Sequence, residues 1–144
     1  MSERLLNMLG LMRRANAVAI GETNTGGACR AGKAKLLLLA NDASDNALSR
    51  AEGFTRGRNV TTLRLPFTKA EISAHVGVNG CSMAAVTDIG FANAFTKALV
   101  QEYGEEYAPF AEELAGRCEK AERRRREAEA HKRNKRNGKR RTDV

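Results

Sequence analysis

The chain has 144 residues, enough for one domain with a core and too few for two ordinary domains plus a tail. It carries a formal net charge of +8; thirteen of its 25 Lys and Arg and five of its 17 Asp and Glu lie from Arg117 onward, which leaves twelve of each before that point. Three distant cysteines, Cys29, Cys81 and Cys118, with no CxxC pair, argue against a disulfide framework or a zinc ribbon, and the absence of a long apolar run argues against a signal peptide or a membrane span.

Ser2 is placed to cap a first helix, whose Leu5, Leu6, Met8, Leu9 and Met12 recur at helical spacing. Residues 17–20 read as a short strand ending at Gly21. Residues 22–31 follow as a second helix, with Arg30 near its end and Gly32 as its stop. Residues 35–40 are too short an apolar run for a helix and read as a strand covered on both faces. Asn41, Asp42 and Ser44 offer caps to a third helix from Asp45 to about Phe54. Residues 59–65 read as a strand, and Thr68 with Glu71 forms a capping box for a short helix through Val76. Gly77 and Gly80 bracket a loop, residues 83–87 are a fourth strand, and Asp88 caps a helix carrying Phe91, Ala92, Phe95, Ala98 and Leu99.

Alternating helices and strands predict an α/β sandwich closed by about residue 103. Pro109 suits the first position of a further helix, from which Phe110, Leu114 and Cys118 can still reach the domain. The expected organisation is therefore a domain at 1–103, a charged C-terminal helix at 104–130, and a disordered basic tail at 131–144.

Several words in this order resemble one family: Leu9-Gly10-Leu11 with Arg13-Arg14-Ala15, Gly21-Glu22, Gly32-Lys33-Ala34-Lys35-Leu36, Ala40-Asn41-Asp42-Ala43-Ser44, and Val86-Thr87-Asp88-Ile89-Gly90-Phe91-Ala92. Together, over roughly residues 3–101, they look like the large-subunit ribosomal protein 7Ae/30e family, especially its small bacterial ribosome-associated members. The resemblance implies a three-layer α/β/α sandwich with a four-stranded mixed sheet that binds kink-turns, sharply bent internal loops of RNA. It also implies that the N-terminus of the second helix enters the RNA groove while the loop before the last strand covers extruded bases.

In this sequence those elements are residues 21–30 and 77–82, so the resemblance points to Gly21, Glu22, Thr23, Asn24, Gly27, Arg30 and Lys33 with Val78, Asn79, Gly80 and Cys81 as the RNA-binding set. Physical chemistry favours the same places. A helix N-terminus offers unpaired N–H groups and partial positive charge to phosphate. Gly21, Gly26 and Gly27 would let backbone come close, Thr23, Asn24 and Thr25 supply donors and acceptors for bases or 2′-hydroxyls, and Arg30, Lys33 and Lys35 add local positive charge. Counted back without gaps from Gly32, the family's Asn-Glu pair falls on Thr23 and Asn24 and its groove-reaching Lys on Gly27; a one-residue slip places its Asn on Asn24.

Cys29 is expected to be a small core residue and Cys81 to be more exposed, with no His or Asn placed to activate it. Asp42 and Asp88, each between a strand and a helix, read as N-caps and not as paired catalytic carboxylates. No GxGxxG, Walker-type loop or assembled nucleophile and base is present, so a non-enzymatic, cytoplasmic, monomeric binder of structured RNA, with ribosomal RNA as the expected partner and no metal or cofactor, is the leading expectation. The alternative is a protein-interaction or assembly module of the same fold that has lost kink-turn specificity and touches RNA only through the basic tail.

Overall fold

The computed structural model describes residues 3–142. The cap expected at Ser2 and the last two residues of the tail lie outside them. Elements follow in the order α1 (Glu3–Arg14), β1 (Val18–Ile20), α2 (Glu22–Arg30), β2 (Leu36–Leu39), α3 (Asp45–Thr55), β3 (Thr61–Arg64), α4 (Lys69–Val76), β4 (Met83–Val86), α5 (Ile89–Tyr103) and α6 (Ala108–Thr142). A 3-10 turn at Glu105–Tyr107, not foreseen from the sequence, joins the last two helices.

The strands form one mixed sheet in the order β1-β4-β2-β3. β4 runs antiparallel to both of its neighbours, pairing Ala85 with Ala19 on one side and with Leu37 on the other, while β2 and β3 are parallel. β2 is an inner strand, so both its faces are covered and its four leucines are all buried. The two-residue period of a strand divides them: Leu36 and Leu38 enter a core with α1, α4, α5 and the start of α6, whereas Leu37 and Leu39 pack with Cys29 of α2 and Ala47 and Ala51 of α3. Full burial of each leucine contributes about 2 kcal/mol. The result is the expected three-layer α/β/α arrangement around a four-stranded mixed sheet.

Side chains cap the helices largely as their spacing dictates. Ser44 Oγ accepts from Ala47 N at the start of α3, Thr68 and Glu71 make the reciprocal box on α4, and Asp88 Oδ1 accepts from Phe91 N at 2.9 Å on α5. Asp42 caps a different helix from the one its sequence position suggests. Its Oδ1 accepts from Lys69 N at 2.8 Å, because the turn after β2 lies beside the start of α4, leaving α3 to Ser44.

α6 docks through buried Leu114 and Cys118, with Phe110 packed against the larger core. Ala108 precedes Pro109 in the helix, which makes the proline its second residue. Arg117 fastens the helix to the edge of the sheet: its guanidinium donates to Lys35 O at 3.0 Å, Asn59 O at 2.7 Å and Thr61 Oγ1 at 3.3 Å. The helix continues through residues 131–142, where composition led to an expectation of disorder. Once a helix is nucleated, each further residue is fixed for one hydrogen bond, and the helix enters this segment from a charged stretch that an Arg123–Glu119 pair one turn apart supports.

Candidate nucleic-acid interface

α2 begins differently from α3, α4 and α5. Its N-cap is Gly21, which has no side chain to offer, and no side chain bonds to the helix start. The first helical backbone bond runs from Thr25 N to Gly21 O, so the N–H groups of Glu22, Thr23 and Asn24 lack intrahelical acceptors. Gly21 has φ of 89°, a conformation that a side chain at this position would strain. Its own N–H donates to Met83 O at 3.0 Å, tying the helix tip to the start of β4.

Beside this tip lies an open groove of about 750 Å3, lined by Thr23, Asn24, Gly27, Lys33 and Val78 from the expected set. α2 and the α4–β4 connection are therefore brought to one place although some 50 residues separate them in sequence, as β1 and β4 are neighbours. Three polar residues absent from the expected set, Arg13, Asn16 and Thr87, also line the groove. Asn16 turns the chain between α1 and β1 with φ of 57°, which asparagine tolerates better than most residues. The Arg13 guanidinium lies against Gly77, where a side-chain carbon in place of the glycine hydrogen would stand 3.0 Å from its Nη1. The pair Arg13-Arg14 was the available signal for this contribution.

Not all of the expected residues are free to meet a ligand. Glu22 forms an ion pair with Arg50 of α3, and Asn24 Nδ2 donates back to Ile20 O at 2.9 Å. Thr25 is fully buried, and its hydroxyl cannot be presented on the surface. Gly26 is also buried: a Cβ there would come within 2.8 Å of the Phe54 ring, so close packing of α2 on α3 accounts for this glycine. Gly27 is its opposite, with no atom within 4 Å of the place a Cβ would occupy.

Arg30 and Lys35 line a second hollow beyond the C-terminus of α2, which separates them from Lys33. Asn79 and Gly80 are exposed on the same connection as Val78, but open onto a shallow hollow with Asp42 and Lys69. Cys81, expected to be exposed, is buried behind the turn; its N–H donates to Ser73 Oγ and its thiol to Met83 O. Burial pushes this thiol up from its ordinary value, while backbone hydrogen bonding from Gly21 and Met83 and the charge of Arg13 act in the opposite direction. Cys29 is buried as expected, and its thiol is likewise pushed up by burial, against the pull of Arg58 and Arg30. No group of His, Cys, Asp or Glu suited to holding a metal occurs among the described residues, and no helix among them is long and apolar enough to cross a membrane.

No family model matches the sequence. The RNA-binding protein YlxQ of Enterococcus faecium is 32% identical over 99 residues, which make up 69% of this chain and 93% of that protein. This chain belongs to the YlxQ family. YlxQ proteins are bacterial relatives of the L7Ae type, the kinship that the sequence words express. The RNA-binding protein YlxQ of Bacillus subtilis (strain 168) is 33% identical over 96 residues, 64% of this chain and 91% of its own length. A solved structure of a protein of unknown function from Bacillus halodurans has the same fold as this chain, with a TM-score of 0.59 over 68% of this chain and 97% of that one, at 22% identity.

Proposed function

We propose that this YlxQ-family chain binds structured RNA of the kink-turn kind, in association with the ribosome, and performs no catalysis. The observation that carries the reading is the uncapped start of α2 opening beside a groove that also holds Arg13, Lys33 and Val78. Free amides and the helix dipole favour a phosphate at the tip, the two cations favour the flanking phosphates, and Val78 offers an apolar surface to an unstacked base. The names of the two YlxQ relatives support an RNA partner.

The test compares the full chain's affinity for a kink-turn RNA and for a plain duplex of equal length across a salt series. The kink-turn should bind more tightly, and Arg13→Ala with Lys33→Ala should reduce that preference and lower the salt slope by about two contacts' worth. Equal affinity of the unaltered protein for both RNAs would refute kink-turn recognition. It would favour the second reading, an assembly module of the same fold, which draws on one feature: Glu22 and Asn24 are engaged within the protein and Gly27 offers no cation.

A further inference from the structure

The hollow beyond the C-terminus of α2 has an unusual lining. Arg30, Lys35, Arg58 and Arg117 surround a space of about 260 Å3 with no acidic residue among its walls. They converge from four parts of the chain: the end of α2, the start of β2, the turn after α3, and α6. Among the described residues, the ion pairs engage Arg4, Arg50 and Arg123 and leave these four cations without a carboxylate partner. Two of the four are held in place by backbone oxygens. Arg117 is fixed by three hydrogen bonds at the sheet edge, and Arg58 Nη1 donates to Phe54 O at 3.2 Å. Carbonyl oxygens position a guanidinium without cancelling its charge, so these groups are prearranged and their net charge stays available to an anion.

α6 carries the same pattern onward. A helix advances about 100° per residue, which places Lys120, Arg124, His131, Lys132 and Lys135 within about 60° of the Arg117 direction. Ala121 and Ala128 occupy the remaining positions of that sector, and every acid between Arg117 and Lys135 falls outside it. Lys120, Arg124, His131, Lys132 and Lys135 are all exposed. From Arg117 to Lys135 the stripe rises about 27 Å. A succession of cations at this length suits a chain of phosphates better than a single small anion.

We infer that the Arg30, Lys35, Arg58 and Arg117 hollow and the acid-free stripe of α6 form one track for the phosphate backbone of an RNA helix, separate from the groove at the N-terminus of α2. This inference rests on RNA binding, and not on kink-turn recognition. Because phosphate contacts carry no base sequence, the track adds affinity and orients a stem without selecting it.

The experiment measures binding of the full chain to a plain, unkinked RNA duplex between about 50 and 200 mM salt. Arg30→Ala with Arg58→Ala should lower the slope of log K against log salt by about 1.8 in magnitude, taking roughly 0.9 per duplex phosphate contact. Arg30→Lys with Arg58→Lys should retain most of the slope, since the charge remains. Arg124→Glu with Lys135→Glu changes only exposed stripe residues, and should weaken duplex binding without altering the melting temperature. An unchanged slope in the alanine pair together with unchanged duplex binding in the glutamate pair would overturn the track. Displacement of the duplex by polyglutamate at the charge concentration at which competitor duplex displaces it would also overturn it, in favour of an acidic protein partner. Failure of the wild type to prefer a kink-turn would leave these duplex measurements intact, so the two readings fail separately.

Discussion

Replacing Gly27 with lysine tests both the stability of α2 and the direction in which its groove faces. Gly27 lies in a helix, is absent from the positive-φ positions, and has nothing within 4 Å of the place a Cβ would occupy. Lysine therefore fits without strain and removes most of the roughly 1 kcal/mol helix penalty of glycine, for a net gain of about 0.7 kcal/mol. For a protein of this size that corresponds to a melting temperature higher by about 2–3 °C. Gly27 also lines the groove, so the new ammonium lies where one further phosphate would pass. Kink-turn RNA should bind Gly27→Lys more tightly at low salt, with a slope steeper by about 0.9; over a fourfold rise in salt this means a further loss of about 3.5-fold in affinity. Calorimetric melting and fluorescence anisotropy across a salt series measure the two effects independently. A stabilised protein whose RNA affinity and salt slope are those of the wild type would refute the placement of RNA in this groove.

Gly26→Ala should act in the opposite direction from its neighbour, because the new methyl meets Phe54 at 2.8 Å. Overpacking of about 1–3 kcal/mol outweighs the helix gain, so urea melts should show net destabilisation of up to about 2 kcal/mol. Arg117→Ala removes three hydrogen bonds between α6 and the sheet edge, and since that edge is partly open to water the cost should be about 1–3 kcal/mol by urea denaturation. The pH dependence follows from the raised thiols of Cys29 and Cys81, whose ordinary value is 9.0. Unfolded thiols lose their protons first as pH rises through that value, while the buried ones keep theirs until their higher folded values. Their contribution to stability should thus be complete below about pH 9 and decline above it, and a Cys29→Ala, Cys81→Ala protein should show a flatter dependence of urea midpoint on pH between about 8 and 10.

Local signals were legible wherever neighbouring residues settle the outcome. The Thr68–Glu71 box, the Asp88 cap and the both-faces-buried run Leu36–Leu39 each follow from chemistry within a few positions, and the structure contains all three. The candidate site was legible only in outline. Thr23, Asn24, Gly27, Lys33 and Val78 come together, but Arg13 and Asn16 were missed because they join through the turn between α1 and β1, and no spacing rule connects that turn to α2.

Other reassignments have the same origin. Asp42 lies two residues before the cap of α3 in sequence but beside Lys69 in space, so distance and not order determines which helix it caps. Gly26 and Gly27 are identical in sequence terms; one is held against Phe54 and the other faces open space, a distinction created by the packing of α2 on α3. Cys81 sits in a glycine-bracketed connection that reads as exposed, yet its attachment to the strand beneath α4 and the Gly21 turn buries it.

From its sequence alone, this protein's order of helices and strands, most of its caps, its sandwich architecture and its family kinship could be determined, since they arise from periodicity, turn chemistry and short words. Which cations share a surface was decided by tertiary structure alone. Lys33 and Lys35 stand two residues apart, but the end of α2 divides them between two hollows, whereas Arg30 and Arg117 are brought to one hollow from 87 residues apart. The physical reason is that electrostatic fields add through space, and chain folding sets the distances over which they add.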